Sequence, residues 1–308
     1  MRGLIASTNL NKKGWNAILH EAGRISPWTQ IKSFDKRSSI QSRVKAINYI
    51  INRQNDDGGY AFCKGTDSNA QDTYYGLAIL KLLKAPFPNL QKTINWLNNF
   101  VPDNLYSYFY IAKSLKLCDQ EINKNLKNFL LSLEVSNEGF GTLDVYVEVS
   151  SEFEATFMIT ELINMLNLKI NNEKIIKWLL KYQNNDGGFG AHEYSNLSST
   201  YHAIASLFNL GYPIKSLTKT LEYVRSCEKP SGGFTVVPDI SKPYMEHTYY
   251  GTMILDLFGE NLKYPENTSQ FVLNCQNSNG GFARSEFGIS TFEDTFYAVN
   301  ILRKIGKI

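Results

Sequence analysis

The chain has 308 residues, 43% of them hydrophobic and 20% charged, enough to bury a sizeable core in one large domain or two small ones. Its 32 basic and 29 acidic residues leave a formal net charge of +3 without a long basic run, which argues against a nucleic-acid partner. No apolar run approaches the ~20 residues of a transmembrane segment, and Cys63, Cys118, Cys227 and Cys275 form no Cys-x-x-Cys pair, so a cytoplasmic protein with reduced thiols is expected.

Residues 1–40 read as an N-terminal extension in which Asn16–Ile25 suits a short helix and Arg37-Ser38-Ser39 a cap. From Ile40 the pattern is regular. Val44, Ile47, Ile50 and Ile51 share one helix face, which ends at Gln54. Asn55-Asp56-Asp57-Gly58-Gly59 then makes a tight turn of the kind that takes positive φ. A second, very apolar helix runs from Thr73 to Leu83 and stops before Pro86. Together these form one helix hairpin. The second hairpin, Gln91–Phe100 and Tyr106–Leu117, has Pro102-Asp103-Asn104 in place of the glycine turn. Further hairpins span 121–168, 174–210, 217–258 and 266–305.

The same grammar recurs in most of these units. A glycine turn ending in an aromatic leads into a Thr-aromatic helix start, as in Ser231-Gly232-Gly233-Phe234 followed by His247-Thr248-Tyr249-Tyr250. Thr156, Thr200, Thr248 and Thr295 are spaced by 44, 48 and 47 residues, and Thr73 precedes Thr156 by 83, which leaves room for the degenerate unit. A period near 47 lies in the range of helical-pair repeats. First helices are amphipathic; second helices are apolar nearly all round and must therefore be buried. Two concentric rings satisfy that demand. An open solenoid would need a polar cap at its end, whereas the last unit closes on Ile301-Leu302-Arg303-Lys304-Ile305. The fold class expected is all-α, an (α/α)6 toroid over residues 41–308.

The repeat resembles that of protein prenyltransferase β-subunits and squalene–hopene-type terpene cyclases over roughly residues 43–308. Cys275-Gln276-Asn277-Ser278-Asn279-Gly280-Gly281-Phe282 and Tyr182-Gln183-Asn184-Asn185-Asp186-Gly187-Gly188-Phe189 carry the likeness most fully. The resemblance implies an aromatic-lined central funnel that takes an isoprenoid or isoprenoid diphosphate. For a prenyltransferase it also implies an α-subunit-like protein partner. Transfer or rearrangement of a prenyl group is the leading expectation, and one toroid matches a β-subunit in size. A protonation-initiated terpene cyclase and a non-catalytic lipid- or peptide-binding toroid are the alternatives.

Fold alone does not fix function, so the sites are read separately. In the prenyltransferases zinc is held by Asp-x-Cys before one inner helix and by a His before the next. Anchored on the threonines, those positions are Tyr244, Glu246 and Asp294 here, so the standard zinc signature is absent. His247 sits beside Glu246. If Glu246, His247 and Asp294 hold a metal, the oxygen-rich set suits Mg²⁺ or Mn²⁺; otherwise the acids cap helices and favour the macrodipole. The cyclases use Asp-x-Asp-Asp-Thr-Ala, and its middle Asp must stay protonated to act as general acid. Glu152-Phe153-Glu154-Ala155-Thr156-Phe157 is the closest version, while Glu293 and Asp294 keep the last acidic pair elsewhere. Glu152, Glu154, Glu293 and Asp294 are therefore the catalytic candidates. Lys64, Lys242 and Arg284 are candidates to hold a diphosphate. The aromatics Tyr74, Tyr201, Tyr249, Tyr250 and Phe296 begin inner helices, where their faces suit a carbocation or, more plainly, a core.

Overall fold

The computed structural model describes residues 30–122, 128, 135–136, 139–140, 149–169 and 171–308. The helix expected at Asn16–Ile25 lies outside them. Eleven helices occur among the described residues. Those on the outside are α1 (Gln30–Ile51), α3 (Leu90–Asn99), α6 (Asn172–Lys181), α8 (Thr218–Cys227) and α10 (Pro265–Asn274). The inner ones are α2 (Ala70–Leu82), α4 (Leu105–Leu117), α5 (Val149–Met165), α7 (Leu197–Asn209), α9 (Met245–Phe258) and α11 (Phe292–Lys304). The outer helix expected before α5 falls outside the described residues. Helix α1 runs straight through Arg37-Ser38-Ser39, where a cap was expected. Two short hairpins, β1 (Val135–Ser136) with β2 (Gly139–Phe140) and β3 (Phe282–Ala283) with β4 (Ser290–Thr291), lie at glycine turns.

The inner helices pack side by side in the order α2, α4, α5, α7, α9, α11, and α11 packs back against α2. The ring is closed. N-terminal turns meet N-terminal turns: the Tyr106 hydroxyl reaches Glu154 at 3.1 Å, and the Tyr75 hydroxyl reaches Glu293 at 2.9 Å. Last turns meet last turns, as where Lys81 donates to the Leu117 carbonyl at 3.3 Å and Asn164 to the Asn209 carbonyl at 2.8 Å. All six inner helices therefore run parallel and open their N-termini on one rim.

The marker threonines explain how each hairpin is held. Thr73, Thr200, Thr248 and Thr295 are fully buried, each in the first turn and a half of its inner helix. Each hydroxyl oxygen accepts the backbone N–H of the aromatic that follows the glycine turn, Tyr60 at 3.0 Å, Phe189 at 3.0 Å, Phe234 at 3.1 Å and Phe282 at 2.9 Å. Those aromatic rings are wholly buried between the two helix layers. The turn itself docks on the next outer helix. Gly280, at φ +95°, lies so close to α1 that a Cβ would fall 2.2 Å from the Lys45 carbonyl oxygen. Gln276 donates to the carbonyls of Gly280 at 2.9 Å and Ser42 at 3.0 Å, sealing the last unit to the first. Gln183 makes the equivalent bond to Thr220 at 2.9 Å. In the fifth unit Glu228 replaces the glutamine and accepts the N–H groups of Lys263 at 2.6 Å and Tyr264 at 3.2 Å instead.

Replacing Thr295 with Val keeps the shape but leaves the buried Phe282 N–H unsatisfied. The Thr295→Val variant is expected to lose about 1–3 kcal/mol of stability in urea denaturation; a loss within about 0.5 kcal/mol, the scatter of neutral surface changes, would refute this role.

Candidate active site

The rings that open the inner helices meet in the centre of the toroid. Tyr74, Tyr75, Phe109, Tyr110, Phe157, Tyr201, Tyr249, Tyr250, Phe296 and Tyr297 line a cavity of about 100 Å³ with Met158, Lys113, Glu161, His202, Glu154 and Glu293. Two tyrosine pairs stack across adjacent helices, Tyr201 on Tyr250 at 4.5 Å and Tyr249 on Tyr297 at 4.4 Å between ring centres. Elsewhere on the wall the Tyr75 and Tyr110 hydroxyls lie 3.3 Å apart, within hydrogen-bond reach. The wall thus offers ring faces inward. Burial raises the phenol pKa values around the ring, so these hydroxyls stay protonated and act as donors.

Carboxylates stand at the mouth. Glu293 accepts from both the Tyr75 and Tyr297 hydroxyls through Oε1, each at 2.9 Å. Glu154 accepts from Tyr106; burial holds its carboxyl above the usual range, Tyr106 pulls it down, and the negative charges of Glu293 and Glu246 push it further up. Glu246 is likewise raised by burial and restrained by Arg284, 3.6 Å away. Burial pushes Asp294 up to about 6, against the hydrogen bond from Thr291.

The aromatics singled out from the sequence, Tyr74, Tyr201, Tyr249, Tyr250 and Phe296, all line this cavity, and so do Glu154 and Glu293. Glu152 and Asp294 do not line it; Glu152 lies two residues before Glu154, about 200° around α5, and Asp294 is turned toward its own cap. The three cations expected to hold a diphosphate are also elsewhere. Lys64 is exposed on the loop before α2. Lys242 and Arg284 sit over the Tyr244 ring at 5.6 and 4.5 Å and do not line the cavity; Arg284 pairs with Glu246 instead. The physical reason is that glycine turns face the outer layer, so cations next to them are carried away from the inner wall.

Glu246, His247 and Asp294 do not assemble as metal ligands. Among the described residues no group of three or more His, Cys, Asp or Glu is placed to hold an ion. Neighbours on a helix project about 100° apart, so Glu246 faces Arg284 while His247 packs edge-on against Tyr244. Asp294 exchanges hydrogen bonds with Thr291, its N–H at 2.9 Å and its carboxylate at 2.8 Å, and caps α11. A prenyltransferase-type zinc therefore does not fit these residues.

The sequence reading missed Lys113, Glu161 and His202. Lys113 and Glu161 form an ion pair of 2.8 Å deep in the wall between α4 and α5. They lie seven positions beyond Tyr106 and Glu154, on the same helix faces, and that spacing was the available signal. Burial lowers His202 to about 3, so it is neutral, packed between Phe157 and Tyr250.

A closed ring of parallel inner helices, four of them started by a glycine turn and a buried threonine, defines a fold, and the sequence matches the family model for the prenyltransferase alpha-alpha toroid domain over residues 24–144 and 145–307. The chain belongs to this family. Among curated proteins none matches it. Among solved structures the toroid is similar to a Candida albicans protein geranylgeranyltransferase-I complexed with GGPP, at 18% identity and TM-score 0.70, covering 85% of this chain and 90% of that one. It is also similar to a type II terpene cyclase from Scytonema. A variant of that cyclase in complex with geranylgeranyl dihydroxybenzoate aligns at 11% identity and TM-score 0.60, covering 89% of this chain and 99% of the other. At such identities the likeness is one of fold. No helix among the described residues is long and apolar enough to cross a membrane.

The raised Asp294 gives this toroid a pH signature. Between about pH 4 and 6 the folded chain keeps a proton that the unfolded chain has released, so this group costs stability as pH rises through 6. Asp294→Asn removes the cost. Its melting temperature is expected to exceed that of the parent at pH 7.5, by at most about 3 kcal/mol of stability, with the difference vanishing near pH 4. Both proteins share the buried neutral His202 and His247, whose acid penalty runs the other way and cancels in the comparison. An equal difference at both pH values would count against a raised Asp294.

Proposed function

We propose that this toroid is an isoprenoid-binding enzyme that transfers or rearranges a prenyl group inside its central cavity. The observation that carries the reading is the unbroken wall of aromatic faces, contributed by α2, α4, α5, α7, α9 and α11. Aromatic faces attract cations through the ring quadrupole, and in a water-poor cavity they hold a carbocation without offering a nucleophile to quench it. Two structural neighbours have geranylgeranyl compounds bound, which supports the same substrate class. The space between the rings, about 100 Å³, is below the ~300 Å³ at which ordinary small-molecule sites begin. A prenyl chain therefore enters by displacing tyrosine rings. In the transferase form of the reading an α-subunit-like chain completes the enzyme. The four free thiols fit a reducing, cytoplasmic setting.

The mouth favours a second reading, cyclisation started by a proton. Among the described residues no free cation lines the cavity, since Lys113 is committed to Glu161, whereas Glu154 and Glu293 both do. Carboxylates repel a diphosphate, but a carboxyl kept protonated by burial suits general acid catalysis. Glu154 fits that role: its proton passes to a terminal alkene carbon, the alkene electron pair forms the new C–H bond, and the tertiary cation left behind faces the rings. The negative Glu154 is then held by the Tyr106 hydroxyl.

Geranylgeraniol and geranylgeranyl diphosphate distinguish the readings. Either is expected to raise the melting temperature by selective binding to the folded state, and no shift at saturation would remove the isoprenoid site. Cyclised alcohol without diphosphate loss selects proton initiation. In that case Glu154→Gln is expected to cut turnover by about 100-fold or more with binding nearly unchanged; full activity in that variant would exclude Glu154 as the acid.

A further inference from the structure

The Lys113–Glu161 ion pair stands between two spaces. On one side is the central cavity. On the other is a pocket of about 360 Å³ lined by Phe109, Leu162, Asn164 and Met165, and the same two charged residues with Phe109 belong to both walls. The pair lies deep, about 10 Å below the Glu154 mouth at 1.5 Å per residue. Its side chains nevertheless keep 21% and 34% of their exposure, so the far pocket opens to solvent on the face opposite the mouth. The seam between α4 and α5 that it bridges is the least tightly packed of the six around the ring.

We propose that this pair is a gate, and that the pocket beyond it is a subsite for the distal apolar end of a prenyl ligand too long for the cavity. The inference rests on the isoprenoid reading above. Three features support it. The cavity of about 100 Å³ holds only a short prenyl unit, and the pocket that continues it is larger. Beyond the gate the pocket offers Phe109 and Leu162, fixed by burial, and the unbranched Met165, free to adapt, with Asn164 as its one polar side chain among the described residues apart from the pair. The closure itself is weak. A partly solvated ion pair contributes little, and the flexible Lys113 stem can swing its charge to water while its methylenes flank a passing chain. The Lys113 ammonium lies 4.9 and 4.7 Å from the Tyr74 and Phe109 ring centres, so it moves along ring faces that a hydrocarbon can then occupy. The Glu161 carboxylate, already partly in water, needs no new partner. A short ligand leaves the pair closed; a long one threads the ring.

Photo-crosslinking of the unmodified protein tests this with geraniol and geranylgeraniol probes, each carrying a diazirine at the chain end remote from the hydroxyl. The long probe is expected to label the peptide containing Leu162–Met165, and the short probe only α7, α9 and α11. Labelling of the inner helices alone by both probes would overturn the gate while leaving the isoprenoid site intact. No labelling by either would overturn both. The double variant Lys113→Ala/Glu161→Ala, which leaves no unpaired charge, adds a measurement by titration. Geranylgeraniol is expected to bind about three- to fivefold tighter, since the gate no longer opposes it, and geraniol to change by less than about 1.5-fold. An equal change for both would also overturn the gate.

Discussion

The architecture depends on one buried contact, the threonine hydroxyl near the start of an inner helix that accepts the N–H of the aromatic after the glycine turn. An unpaired N–H at that depth is costly, and the aromatic side chain that follows is itself wedged between the layers. The contact therefore fixes the turn on the inner helix while the turn, through its glycine, presses on the next outer helix. Each unit is thereby tied both to its own inner helix and to its neighbour's outer one. Repeated around the chain, the linkage sets a constant rotation per unit, and the ring closes when Gly280 and Gln276 meet α1. Closure in turn gives all inner helices one shared rim, so the site follows from the fold's smallest repeated bond.

That logic explains which parts of the molecule were legible in the sequence. Threonine and glycine recur because their positions are the same in most units, and they predicted the hairpins, the closed ring and the aromatic lining to within a few residues. The functional polar groups break the repeat. Lys113 belongs to the unit with no glycine turn, and Glu161 sits seven residues past the motif that drew attention to Glu154. Neither belongs to the repeated motif; the seven-residue spacing from Tyr106 and Glu154 was the available signal, and the pairing of α4 with α5 makes it visible. The cations Lys64, Lys242 and Arg284 went astray for the converse reason. They lie close to the glycine turns in sequence, but the turns face outward, and Arg284 is drawn onto Tyr244 and Glu246 rather than into the cavity. The proposed metal set failed on helix geometry, since Glu246 and His247 are sequence neighbours that cannot point at one ion without unwinding α9.

The cavity also differs from a plain hydrocarbon funnel. Its tyrosines bring hydroxyls to the wall, and Tyr75 meets Tyr110 at 3.3 Å. A buried hydroxyl left without a partner would cost free energy, so a ligand that displaces Tyr75 or Tyr297 must leave its hydrogen bond to Glu293 intact or replace it. This couples opening of the mouth to the Glu293 carboxylate, which accepts from Tyr75 on one side and Tyr297 on the other.

The acidic mouth follows from the same geometry. Six parallel helices aim their N-termini at one rim, and each carries roughly half a positive charge there. Such a field stabilises anions, and a chain can use it for a bound phosphate or for its own carboxylates. Here Asp72, Glu246, Glu293 and Asp294 occupy first turns, and Glu154 stands at the same level. The helix field that would cradle a diphosphate is therefore already spent on side chains. What is left at the mouth is a crowded set of carboxyls, where burial and mutual repulsion raise the pKa of Glu154 and Glu246 against the pull of Tyr106 and Arg284. A rim so arranged is matched to a neutral substrate that becomes cationic as it reacts. Negative charge then lies above the reaction centre and aromatic faces lie around it, and the two act in the same direction on a developing cation.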